Sequence, residues 1–195
     1  MKVMLGLVTG NRHKLAELQA ALQPYGVELY QVSVGKLEIQ SDSIREIALT
    51  AARHAYSKLR RPLIADDSGL FIEELGGFPG PYSSYAYKTI GVEGILKLLE
   101  GSTRRRACFR AALALILPPY EKVFEGEVCG RIAGEPRGAG GFGFDPIFIP
   151  DEGDGRTFAE MSLQEKNRYS HRARAARALG EWLASRWRGL GRQSL

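Results

Sequence analysis

Cysteine and histidine are scarce in this chain, 2 and 3 among 195 residues. Cys108 and Cys129 pair only if the fold brings them together, and two cysteines in a long chain of intracellular composition are more often free thiols. His13, His54 and His171 fall at no zinc-binding spacing with them. Long apolar runs are also missing: none approaches the ~20 residues that span a bilayer. The apolar start, Met1 to Thr9, is short and lacks a small-residue cleavage site. The expectation is a cytoplasmic protein with no membrane segment. There is no G-x-x-x-x-G-K-[ST] sequence, which excludes a P-loop, and no G-x-S-x-G elbow for a serine hydrolase. Internal repeats and low-complexity linkers are absent, so the chain reads as one large domain or two lobes on a joint core.

What is present is ordinary for a globular protein: 44% hydrophobic and 25% charged residues, which sets aside the disordered and fibrous classes. The net charge of +5 is carried largely by arginine, in Arg104-Arg105-Arg106 and between Arg168 and Arg192. Such runs serve a nucleic acid, a polyphosphate substrate or a solvated helix face, and alternation with alanine fits the last.

Strands and helices alternate. Val3 to Val8 is a continuous apolar run, a buried strand. After Thr9-Gly10-Asn11, the residues Leu15, Leu18, Ala21 and Leu22 recur at helical spacing up to Pro24. Val27 to Val32 reads as a second strand. Ser43 and Glu46 form a capping-box pattern ahead of an apolar face of Ile44, Ile47, Ala48, Ala51 and Ala55. Pro62 to Ala65 is a third strand, stopped by Asp66 and Asp67. Gly76 to Pro81 is an irregular loop, Val92 to Leu99 a helix. Arg106 to Leu117 and Val123 to Ile132 suggest an antiparallel pair around Pro118-Pro119. Extended Ile147 to Ile149 follows a glycine-rich segment, and a helical region runs from about Ser162 to Arg188. The class is α/β with a mixed sheet.

Four constellations offer chemistry. Thr9-Gly10-Asn11-Arg12-His13-Lys14 joins a strand to a helix, where backbone N–H groups and the helix N-terminus favour an anion; it also reads as a turn with Asn11 as N-cap. Asp66 and Asp67, with Glu38, bring carboxylates to the lip of the core, where Mg2+ with phosphates would offset their charge. The same Asp-Asp-Ser-Gly reads as a polar turn. Gly138 to Gly143 matches G-x-G-x-x-G, but Asp145-Pro146 and an extended segment follow instead of a helix, so the dinucleotide reading is rejected. The glycine loop with Gly143 instead lets a planar base lie near the backbone against Phe142 or Phe144, unless both rings are core. Lys166 and Ser170-His171-Arg172 make a dense donor cluster suited to phosphates or keto oxygens.

In order along the chain, these motifs together with Gly76-Gly77-Phe78-Pro79-Gly80 resemble the inosine/xanthosine triphosphate pyrophosphatase (HAM1-like) family. The likeness runs from Val3 to about Trp182 and is nearest the archaeal branch. It implies a long mixed β-sheet flanked by helices, two lobes and a central nucleotide cleft. It implies a homodimer that uses Mg2+ to cleave purine nucleoside triphosphates (ITP, dITP, XTP) to monophosphate and pyrophosphate, with no nucleic-acid partner. Asp67 would be general base and metal ligand, with Glu38 and Asp66 as further metal ligands. Thr9, Gly10, Asn11, Arg12, His13, Lys14 and Ser68 would hold the triphosphate. Phe142, Gly143, Phe144, Asp145, Lys166, His171 and Arg172 would hold the base side. Ala51 stands where bacterial members have a lysine. A nucleic-acid-binding protein and a pyrophosphatase for pyrimidine triphosphates are the rival readings.

Overall fold

The computed structural model describes residues 3–190 apart from 36 and 38, with side chains described to 186. Glu38, an expected metal ligand, therefore lies outside the described residues.

The first strand, β1 (Val3–Val8), leads through Thr9-Gly10-Asn11 into α1 (Arg12–Leu22). Asn11 caps that helix, its side chain accepting the N–H groups of His13 and Lys14, which satisfies donors the first turn leaves open. The chain returns as β2 (Val27–Val32), parallel to β1, and crosses through α2 (Ile44–Leu59) to β3 (Leu63–Ile72) on the other side of β1. Ser43 caps α2 by accepting Glu46 N–H, while the Glu46 carboxylate takes Ser41 Oγ in place of the expected reciprocal bond. The expected apolar face of α2 is wholly buried, Ala51 included. A lysine at 51 would start from inside this core, and Ile47 is the α2 residue that reaches the central cavity.

Asp66 and Asp67 do not stop β3. The strand continues to Ile72, paired with β5 (Arg106–Leu117) in an unbroken antiparallel ladder. The ladder satisfies the backbone, and the side chains find partners, so the two acids are strand residues and no polar turn forms. Beyond β3, Pro79–Gly80 is a short strand, β4, returning antiparallel onto β3, followed by α3 (Ser83–Thr89) and α4 (Gly91–Leu98). β5 turns into β6 (Tyr120–Ile132), the antiparallel pair read from the sequence, and β7 (Phe148–Pro150) lies at the far edge. The sheet order is β2-β1-β3-β5-β6-β7, with β4 also on β3. The C-terminal helical region is two helices, α5 (Leu163–Tyr169) and α6 (His171–Leu190), separated by extended Ser170.

The register places Cys108 opposite Cys129, and the two form a disulfide. Pairing across 21 residues of sequence is set by the hairpin ladder, which composition could not reveal; the free-thiol expectation is corrected.

Three apolar clusters cover the sheet. Alternate residues of β3 and β5 sort between them: Ile64, Leu113 and Leu115 pack with α1 and α6, while Leu63, Ala65, Ala112 and Ala114 pack with α2. Further along, Leu70, Ile72 and Phe109 join a separate core with Phe144, Phe148 and Phe158.

Candidate active site

A cleft of about 630 Å³ opens between these cores. Its position follows from the strand lengths. β1 pairs with β3 only as far as Val8 opposite Ala65, and β4 joins the same edge at Leu70. Residues 66–69 thus border a gap beyond the carboxyl end of a parallel strand, where open α/β sheets place ligands. The period-two alternation of the strand then separates the two aspartates. Asp66 points with Ile64 toward α1 and α6, and Asp67 takes the side of Ala65 and α2. Both line the cleft.

Asp66 is held by cations from two helices. Lys14 Nζ of α1 lies 2.6 Å from its Oδ2, and Arg172 Nε of α6 donates to Oδ1 at 3.3 Å. Arg172 Nη2 also donates to Ser68 Oγ at 2.7 Å, and its Nη1 pairs with Glu17. Lys166 Nζ bridges Glu17 Oε1 and Asp145 Oδ2, each at 2.6 Å, and Asp145 also accepts Phe142 N–H at 2.8 Å. All these groups but Lys14, Phe142 and Ser68 are no more than 3% exposed. Against Lys14, Lys166 and Arg172 stand four carboxylates, Asp66, Asp67, Asp145 and Glu17. With Lys88 also in the cleft wall, the cations and carboxylates of this region balance one for one among the described residues.

Burial opposes the charge on Glu17, but Arg172 and Lys166 outweigh it and hold the carboxyl below its ordinary value. Burial dominates at Asp145 and raises it, with Lys166 offsetting only part of the effect. His171 is pushed well below the ordinary imidazole range, first by burial and then by the Arg172 and Lys166 cations. It is therefore neutral at pH 7. Phe109 lies parallel to its ring, centroids 4.8 Å apart.

The structure brings most of the expected residues together. Thr9, Gly10, Asn11, Lys14, Ser68, Phe142, Gly143, Phe144, Asp145, Lys166, His171 and Arg172 all line the cleft beside Asp66 and Asp67. Phe142 is half-buried, with Lys166 Nζ 5.0 Å and Arg172 Cζ 5.5 Å from its ring centre. Phe144 belongs to the apolar core as well as to the wall. Arg12 and His13 are exposed and outside the wall; His13 stacks on Phe142 at 5.3 Å. Sequence reasoning missed Glu17, which sits on α1 beside Leu18 with no motif to mark it. It also missed the α3 wall, Ser83, Ser84, Tyr87 and Lys88, because only Ser83 and Ala86 of that helix are buried and no apolar period announces it.

A family model described as the Ham1 family matches residues 5–182. The chain belongs to the Ham1 family. Among its relatives, a dITP/XTP pyrophosphatase of Saccharolobus solfataricus is 54% identical over 183 residues, 94% of this chain and 95% of the relative. One of Hyperthermus butylicus is 52% identical over 177 residues, 91% of this chain and 93% of its own length. A solved HAM1 protein from Coxiella burnetii shares the fold with a TM-score of 0.82 at 35% identity, covering 94% of this chain and 99% of that one. The mixed sheet flanked by helices is thus that of the Ham1 family.

Proposed function

We propose that this protein hydrolyses the purine nucleoside triphosphates ITP, dITP and XTP to a monophosphate and pyrophosphate, clearing them from the nucleotide pool. The observation that carries this reading is the cleft itself: strand-borne carboxylates, a cluster of cations and an aromatic wall line one cavity of nucleotide size. The names of the relatives support the substrate class.

The donor set suits a hard divalent cation. Asp67 supplies carboxylate oxygens to the cleft, and because its cations are already matched by acids, a polyphosphate brings charge that they leave unbalanced. Mg2+ is the ion we assign, with Asp67 and Glu38 as its protein ligands; when bound it neutralises charge on the phosphates, while Asp66, the third ligand expected, is taken up by Lys14 and Arg172. Asp67 takes the proton of a water attacking in line at the α-phosphorus. Lys14, Ser68 and the Thr9–Asn11 turn hold the phosphate chain, while Phe142 and Phe144 border the base. Donors of Lys166, His171 and Arg172 face that end of the cavity. A 6-keto purine satisfies a donor that a 6-amino purine leaves unpaired, and such mispairing is costly.

Several arginines of these runs are engaged within the described part of the protein, which weakens the nucleic-acid alternative. Arg105 donates to the carbonyls of Leu99, Ile132 and Ala133, and Arg104 and Arg106 pair with Glu74 and Asp151. Arg174 pairs with Glu152, and Arg177 donates to Asn167 O. We further propose a cytoplasmic homodimer. Phe78, Tyr82, Tyr85 and Ile90 are large exposed side chains in and beside α3, available to a second copy, and no described helix is long and apolar enough to cross a membrane.

The test is pyrophosphate release from dITP with Mg2+ by the parent and by Asp67→Asn. A loss of at least about a hundredfold in kcat is expected for removal of a general base. Turnover within a few-fold of the parent would sink the assignment of Asp67.

A further inference from the structure

Four cations line the cleft: Lys14, Lys88, Lys166 and Arg172. Three are held by carboxylates, Lys14 by Asp66, Lys166 by Glu17 and Asp145, and Arg172 by Asp66 and Glu17. Lys88 is exposed and has no ion-pair partner among the described residues. It belongs to α3, whose residues Ser83, Ser84, Tyr87 and Lys88 present one helical face to the cleft. Both ends of that face are fixed. Ser83 Oγ accepts Leu70 N–H at 2.8 Å and donates to Gly80 O at 2.7 Å, tying the start of α3 to β3 two residues past Ser68. Tyr87 packs edge-on against Phe144, ring centres 5.5 Å apart.

We propose that Lys88 is a substrate-binding residue that takes the phosphate chain from the α3 wall, facing the carboxylate-bound cations across the cleft. The inference rests on the nucleotide reading of this site. A triphosphate brings about four negative charges, and the cations of the floor are already balanced by acids. A cation with no competing carboxylate supplies the missing attraction. An ammonium is a compact point charge on a flexible stem, which fits a phosphate oxygen at the rim better than a neutral keto group. Its place in the last turn of α3 also lets it interact with the helix dipole. That role would show in thermal stability and leave phosphate binding alone.

The experiment compares Lys88→Ala and Lys88→Arg with the parent in dITP hydrolysis, using inorganic tripolyphosphate and inosine as competitive inhibitors. Loss of one charge-assisted contact should raise the KM for dITP and the Ki for tripolyphosphate about tenfold in Lys88→Ala. The loss falls on KM rather than kcat, the Ki for inosine stays in place, and Lys88→Arg recovers most of the affinity. A tripolyphosphate Ki within twofold of the parent overturns the proposal. So does an inosine Ki that rises in step with it, since the helix would then act through the base wall. Should the parent release no pyrophosphate from any purine triphosphate, the nucleotide reading fails on its own. Calorimetric binding of tripolyphosphate to parent and Lys88→Ala still decides whether Lys88 binds polyphosphate.

Discussion

Glu17 joins two residues that the sequence singled out, Lys166 and Arg172, and it was itself invisible there. A lone glutamate on an amphipathic helix usually faces water, and only the tertiary fold shows this one 3% exposed between two cations. Glu17→Gln keeps the shape and removes the charge. Breaking a buried ion-pair network typically costs about 3 kcal/mol, so urea unfolding should show a loss of that size. The kcat/KM for dITP should fall roughly tenfold as Lys166 and Arg172 lose their fixed positions. Unchanged stability would mean the two cations hold themselves in place without it. Arg12 and His13 differ from it: their motif position suggested phosphate contacts, and both are exposed outside the cleft wall, His13 against Phe142 at its edge. Adjacent residues of a helix point about 100° apart, so a contiguous motif cannot all face one ligand.

Among the elements, those with a clear period were legible: β1, α1, β2, α2 and the β5–β6 hairpin stand close to where the apolar pattern put them. β3 was read seven residues too early at its end, because an apolar run is broken by charge while a hydrogen-bonded ladder is not. The α5–α6 break at Ser170 was missed too, although Ser162 and Glu165 form a complete capping box that marks the start of α5. Gly126 shows how an element carries the site. A Cβ there would lie 2.1 Å from His171 O and 2.6 Å from Ala175 N, so glycine lets the start of α6 rest directly on β6. Gly126→Ala must push that helix end away, at about 2 kcal/mol for overpacking. His171 and Arg172 move with it, so melting temperature and dITP turnover should fall together. Loss of stability with full turnover would show that the helix start relaxes without carrying its side chains along.

At the scale of the molecule, the disulfide closes a loop of 21 residues between neighbouring strands. Loop entropy assigns it about 3 kcal/mol. The double variant Cys108→Ser/Cys129→Ser should unfold at lower denaturant by that amount while hydrolysing dITP at the parent rate, since Cys108 and Cys129 lie outside the cleft wall. Identical unfolding midpoints would show that the hairpin ladder alone sets the stability. The overall class, a mixed sheet with helices on its faces, was legible from the alternation of patterns. The cleft was expected from the family resemblance alone, because its place depends on where β1 ends and β4 begins along β3. That gap has a mechanical consequence. The cores on either side of the cleft are joined through the long strands β3, β5 and β6, and residues 66–69 are the stretch of β3 with a neighbour on one edge alone. Any opening or closing of the cavity must twist the sheet where it is narrowest. The two aspartates sit on that axle, so a swing of the walls about it would change the distance to Lys88 more than the place of the carboxylates.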